Sequence, residues 1–141
     1  MKSNVKIVLS SIAILLIFGI LLVALGGVGN YVDTEQNRID LSHENATTAY
    51  TITANMLNNP NNYLGKTIKI KGTYFTTTNT NKAIHQLTVT DSTGCCSASI
   101  EFVLKSNSYP PINSIITIEG ILESYIIDNA THYRLNNATI S

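Results

Sequence analysis

The sequence predicts an all-β domain, a five-stranded barrel with a short preceding helix, joined to one N-terminal transmembrane helix. Three observations predict it. An uncharged apolar run fills Ile7 to Gly29, hydrophobicity alternates with a period of two from Thr67 onward, and glycines interrupt two of the alternating apolar faces. The 141 residues leave room for one ordinary domain and one accessory segment.

The apolar run is dominated by Ile, Leu, Val, Ala and Gly. At 1.5 Å rise per residue, about 20 residues cross a hydrocarbon core of about 30 Å. Residues 1–30 therefore read as a membrane anchor, with lipid as the partner of residues 7–29. A cleavable secretory signal carries a shorter apolar stretch and a small-residue cleavage site. Ala24, Gly26, Gly27 and Gly29 supply small residues, so secretion after cleavage stands as the alternative. Lys2 and Lys6 precede the run, whereas Asp33, Glu35, Arg38 and Asp40 follow it. Basic residues beside a span favour the cytoplasmic side. A single-pass protein with its C-terminal domain extracytoplasmic follows.

The formal net charge is zero, yet beyond residue 30 the chain carries seven basic residues against nine acidic ones. A domain that grips phosphates shows a basic excess. Nucleic acid is thus not an expected partner.

Residues 31–45 are polar and aperiodic and read as a juxtamembrane linker, with His43 solvated. Residues 46–141 form the folded domain. A helix is expected from Thr47 to Asn58, where Tyr50, Ala54 and Leu57 recur at helical spacing and Asn45 or Thr48 caps the start. The run Asn58-Asn59-Pro60-Asn61-Asn62 ends it. Thr67–Thr76 then alternates Ile68, Ile70, Gly72 and Tyr74 against Thr67, Lys69, Lys71 and Thr73, as a half-buried strand does. Ile84–Thr90 is the second strand, with His85, Leu87 and Val89 on one side. Ala98, Ile100, Phe102 and Leu104 mark the third. Ile116, Ile118, Gly120 and Leu122 mark the fourth, which extends to Ile127, and His132–Ile140 is the fifth.

Five short strands hide their edges best by curling closed. Gly72 and Gly120 fit tight bends at barrel corners. An OB-fold barrel is the expectation, with the helix between its third and fourth strands replaced by the loop Ser106–Asn113. The preceding helix would cover an open end. A β-sandwich is the alternative.

At this point the chain resembles a known group. Asn59-Pro60-Asn61-Asn62-Tyr63-Leu64-Gly65-Lys66 leading into Ile68-Lys69-Ile70-Lys71-Gly72 resembles the approach to the first strand in small bacterial OB-fold proteins. Asp91-Ser92-Thr93-Gly94-Cys95-Cys96, followed by Tyr109-Pro110 and Ile118-Glu119-Gly120, looks like a set of membrane-attached or secreted bacterial OB-fold proteins with a Cys-Cys pair. A similar element occurs in the outer domain of a permease-associated membrane protein family. The resemblance covers roughly residues 46–141 and implies a fold, and a permease as a partner, but no activity. A second likeness, through Leu87-Thr88-Val89-Thr90-Asp91, is to haem chaperones of cytochrome c maturation. Those attach haem through a histidine and a tyrosine separated by three residues, whereas His132 and Tyr133 here are adjacent.

Cys95 and Cys96 are the only cysteines. A bridge between neighbours closes almost no loop and gains little from chain entropy. It also strains the link, because Cα atoms across a trans peptide sit about 3.8 Å apart, short of ordinary disulfide spacing. Strained bridges reduce easily, which leaves thiol exchange open. A metal site would need further ligands, and His85 is the candidate across the second-to-third hairpin. A soft ion accepts fewer thiolates. Three readings therefore stand: a structural turn or strained disulfide, metal or thiol chemistry, and contact with a partner.

Lys66, Lys69 and Lys71 read first as the wet face of a strand. With Phe75, Lys69 and Lys71 form the candidate ligand face of an OB-fold groove. No nucleophile turn, spaced carboxylate pair or phosphate-binding glycine loop organises the remaining polar residues. The sequence thus predicts a non-enzymatic binding module meeting a permease or a cell-surface ligand, with its cofactor, if any, unknown.

Overall fold

The computed structural model describes residues 37–79 and 82–141. Within them the chain is mostly β. The elements are β1 (Arg38–Asp40), α1 (Ala46–Asn58), a short 3-10 turn (Pro60–Asn62), β2 (Thr67–Asn79), β3 (Lys82–Thr90), β4 (Ser97–Leu104), β5 (Ile115–Ile127) and β6 (Ala130–Ile140). The expected transmembrane helix falls on residues 7–29, outside the described residues. Among those described, no helix is long and apolar enough to cross a membrane.

Helix α1 starts where a side chain can satisfy its first amides. The Asn45 carboxamide oxygen accepts from the Thr48 N–H at 2.9 Å, as a capping asparagine should. The buried stripe is Ala49, Thr53 and Met56, one position round from the Tyr50, Ala54 and Leu57 stripe read from the sequence. Thr53 explains the difference. Its hydroxyl donates to the Ala49 carbonyl at 2.7 Å, so a residue counted as polar lies fully buried. Met56 enters the core, and Tyr50, Ile52 and Leu57 pack against its margin. The helix rests on β3 and β4.

All five predicted strands form, lengthened by up to three residues. They close on themselves in the order β2–β3–β4–β6–β5, with β5 returning to β2. Closure depends on β2 changing partner along its length. Thr67–Thr73 pair antiparallel with Ile115–Ile121 of β5, and Thr73–Asn79 pair antiparallel with Lys82–Thr88 of β3. Gly72 stands at the change. A Cβ there would lie 2.5 Å from the Thr88 carbonyl oxygen, so only glycine lets β3 come this close. On the far side β4 and β6 pair in parallel, Phe102 beside Leu135.

The β5–β6 hairpin turns at Asp128 and Asn129, both left-handed at φ 48° and 63°, the signature of a two-residue turn that matches strand twist. Further along, Glu119 opposes Thr139 but Ile121 opposes Asn136. Strand β6 therefore carries one extra residue, and Asn137 absorbs the bulge at φ 50°. Gly120 lies across from it. The bulge resets the alternation, which is why Leu135 and Ala138, three apart, both face inward. Ile68, Ile70, Leu87, Ile100, Ile118 and Leu135 fill the interior at no exposure.

Residues 31–45 read as linker, but Arg38–Asp40 form β1, which pairs in parallel with Thr67–Lys69, on the same edge of β2 as β3 but ahead of the stretch that β3 occupies. Leu41, just beyond it, is buried. A three-residue strand is too short to display alternation, so sequence periodicity misses it. Arg38 ties it further to β5 through Glu119 at 3.0 Å.

Replacing Gly72 by alanine should cost about 1–3 kcal/mol, the usual penalty of overpacking. Gly120→Ala should cost less, since its Cβ would meet the nearest backbone atom at 3.0 Å. Urea denaturation of both variants checks the order, and equal midpoints would show that the approach at Gly72 is dispensable.

Candidate functional site

Two places in the fold gather chemistry-bearing side chains, at opposite ends of the β3–β4 hairpin. The first is the loop 91–96 joining those strands. The Asp91 N–H donates to the Cys96 carbonyl at 2.9 Å, and the Gly94 N–H to the Asp91 carbonyl at 3.1 Å. Gly94 takes φ 74° to make that return. The turn aligns Cys95 and Cys96 on one side, with their sulfurs 3.1 Å apart as free, exposed thiols. Asp91 Oδ2 sits 3.6 Å from the Cys95 sulfur. The Thr93 hydroxyl holds both, 2.8 Å from that carboxylate oxygen and 3.1 Å from the sulfur. Helix α1 braces the loop from behind, since Thr47 Oγ1 lies 2.7 Å from Ser92 Oγ.

The electrostatics follow from this crowding. The Thr93 hydroxyl, with the amides of Cys96 and Gly94 behind it, holds the Asp91 carboxyl below the ordinary carboxylate range. The hydrogen bond with Cys95, and then the charge on Cys95, push the Cys96 thiol up. Charge on Cys96 in turn raises the Tyr50 phenol, which faces it from α1.

The second place is a cleft of about 410 Å³ between the first halves of β3 and β6 and the ends of β4 and β5. Tyr109 reaches it from the loop between β4 and β5, its hydroxyl accepting from the Leu104 N–H at 3.2 Å. Its ring stacks on His85 at 3.4 Å between centroids. Tyr74 closes the stack from inside the barrel, its hydroxyl 2.7 Å from His85 Nδ1. Opposite these rings, Tyr125 donates a hydrogen bond to Glu101. Burial, and then that carboxylate, push the Tyr125 phenol up to about 12. Arg134 lies over the Tyr125 ring at 4.4 Å and pairs with Glu123 at 2.7 Å. Lys82, Ile84 and Asn107 complete the rim.

The structure brings Cys95 and Cys96 together with Asp91, but not with His85. That histidine lies five residues before Thr90, roughly 17 Å up the strand at about 3.3 Å per residue, and belongs to the cleft. Shared parity placed it on the same face as Leu87 and Val89. Parity alone does not measure distance from the turn. Lys69, Lys71 and Phe75 do share the outer side of β2, yet none of them lines the cleft. Lys71 instead borders a smaller hollow of about 320 Å³ near Leu41 and Ala49. His132 and Tyr133 point to opposite sides of β6, the first toward Tyr125 and the second against the core. Tyr109, Tyr125, Glu101 and Arg134 were missed by the sequence reading. The two-residue turn at Asp128-Asn129 fixes Glu123 opposite Arg134 and Tyr125 opposite His132, so register counting from that turn was the signal that could have found two of them.

No family model, curated protein or solved structure matches the chain. The functional reading rests on these two places.

Burial pushes the His85 imidazole below its ordinary value of 6.5. Unfolding releases the ring and restores that value, so the unfolded chain takes up the proton first as pH falls. The stabilisation is complete above about pH 6.5 and is lost as pH drops through the lower folded value. Denaturation midpoints followed across that window should fall more steeply in the parent than in His85→Phe, which keeps a stacking ring without a titrating nitrogen. Equal slopes would remove His85 as the responsible group.

Proposed function

We propose that the chain is a membrane-anchored, extracytoplasmic OB-fold binding module without catalytic activity, and that its cleft takes a saccharide segment. One observation carries the reading: the cleft lies over β3 and β4, between the β2–β3 hairpin and the β5–β6 hairpin. In five-stranded Greek-key barrels this is the face, with its two flanking loops, that takes oligonucleotides and oligosaccharides. The ring order β2–β3–β4–β6–β5, with β4 and β6 parallel, supports the OB-fold part of it.

Charge decides between the two ligand classes. A phosphate polymer needs cations free to replace its counterions. In the cleft, Arg134 is already paired with Glu123, and the lining offsets the single further cation, Lys82, with the carboxylate of Glu101. What remains is a set of hydrogen-bonding groups, Glu101, Asn107 and the Tyr125 hydroxyl, between apolar walls. An uncharged polyhydroxylated ligand matches that mixture. The apolar run at Ile7–Gly29 and the lysines ahead of it support the placement, because a barrel held outside a membrane meets cell-surface glycans.

Calorimetric titration of the full chain in detergent against neutral oligosaccharides, with single-stranded oligonucleotides alongside, tests the ligand class. A saccharide should bind, and Glu101→Gln should weaken it by about tenfold or more, the worth of a hydrogen bond to a charged group. Tight, salt-sensitive oligonucleotide binding in its place would overturn the reading. For the placement, a tag at the C-terminus should be digested by protease added to intact wall-stripped cells. Protection of that tag would exclude the extracytoplasmic side.

A further inference from the structure

The structure assigns a second site, independent of the cleft: a thiophilic divalent d10 cation of the zinc class, held by Cys95, Cys96 and Asp91. The donor set is of the kind that suits such an ion, two thiolates and one carboxylate. Their ligand atoms all lie within 4.8 Å of one another. Around a tetrahedral ion with bonds of about 2.3 Å to sulfur and about 2.0–2.2 Å to oxygen, two sulfurs sit roughly 3.8 Å apart and a sulfur and an oxygen roughly 3.5 Å apart. The Cys95 sulfur and Asp91 Oδ2 are already 3.6 Å apart, while the sulfurs, at 3.1 Å, need to part slightly. Both thiols are exposed, which leaves their side chains free to rotate and open that gap.

Three further features favour the ion over a simple turn. The loop is closed by its own backbone hydrogen bonds and pinned to α1, so the donors converge before any ion arrives. Thr93 touches both Asp91 and Cys95 and acts as a positioning residue, orienting a carboxylate oxygen and a sulfur toward one point. The ion pairs found among the described residues lie elsewhere, at Arg38 and Arg134, and none engages Asp91. Binding releases the two thiol protons to solvent and forms two metal–sulfur bonds and one metal–oxygen bond, with no change of oxidation state. Three protein ligands leave a fourth tetrahedral position on the solvent side. That is the arrangement of a site that exchanges its ion or holds a further small ligand rather than one that only staples a fold.

Cobalt(II) titration of the reduced full chain in detergent tests this, because cobalt reports thiolate ligation by charge-transfer absorption and tetrahedral geometry by visible bands. One cobalt per chain should produce both signals, and zinc should displace it. The Cys95→Ser/Cys96→Ser variant should lose the charge-transfer band. Asp91→Asn should keep the band but weaken binding by at least about tenfold, a scale reached even by outer-shell partners of a metal. Zinc should also protect both thiols of the parent from alkylation, a readout that needs no substitution. Absence of the band, alkylation unaffected by zinc, or an unchanged affinity in Asp91→Asn would each overturn the assignment. So would binding of copper(I) alone, with no uptake of zinc or cobalt.

Discussion

Strand β2 has two edges and three partners, and the rest of the structure depends on how it serves them. One edge is given to β5. The other is shared between β1 and β3, and the transfer is crowded. At Gly72 the Thr88 carbonyl comes so near that a side chain has no place. Without that approach β3 could not swing across the barrel axis while β5 still holds the other edge, and the sheet would stay open. An open sheet of this size would expose two unpaired edges. The hydrogen-bond ladder and the packing therefore make the same demand on one residue.

Closure also decides where chemistry can accumulate. Inside, alternation delivers Ile68, Ile70, Leu87, Ile100 and Ile118 to an apolar interior closed to solvent. The titratable groups that cluster lie outside that interior, at the two ends of the β3–β4 hairpin. At one end the β3–β4 turn folds back on itself and meets α1. At the other the aromatic side chains of Tyr74, His85 and Tyr109 stack as a plug whose outer surface forms the wall of the cleft. Pro110 and Pro111 stiffen the loop that carries Tyr109, and the Tyr109 hydroxyl takes up the Leu104 amide at the end of β4. A loop without regular structure is thus fixed by one aromatic residue at each of its needs, stacking and hydrogen bonding.

Much of this was legible in the sequence, for a physical reason. A period of two identifies a half-buried strand wherever one face is dry and the other wet, and five of the six strands meet that condition. Strand β1 does not, being three residues long and visible only through the edge of β2 it covers. The stripe on α1 was displaced because Thr53 hides its hydroxyl against its own helix, which composition does not reveal. Among the site residues, the cysteine pair announced itself, and Asp91 stood in the same run without being recognised as its neighbour. His85 was assigned to the wrong end because parity gives a face but not a height. Tyr109 could not have been found by either rule, since its position depends on the path of a loop rather than on any period.

The short parallel ladder between β1 and β2 has a mechanical consequence. Tension on the chain ahead of Arg38 would load that ladder before any other part of the domain. It rests on three residue pairs and the Arg38–Glu119 ion pair, whereas the ring is sealed through the longer seams of β2 with β3 and β5. Peeling β1 away would uncover one edge of Thr67–Lys69 and leave the barrel shut. The domain thus has a sacrificial joint at its upstream end, able to yield under a pull while the cleft and the 91–96 loop keep their shape.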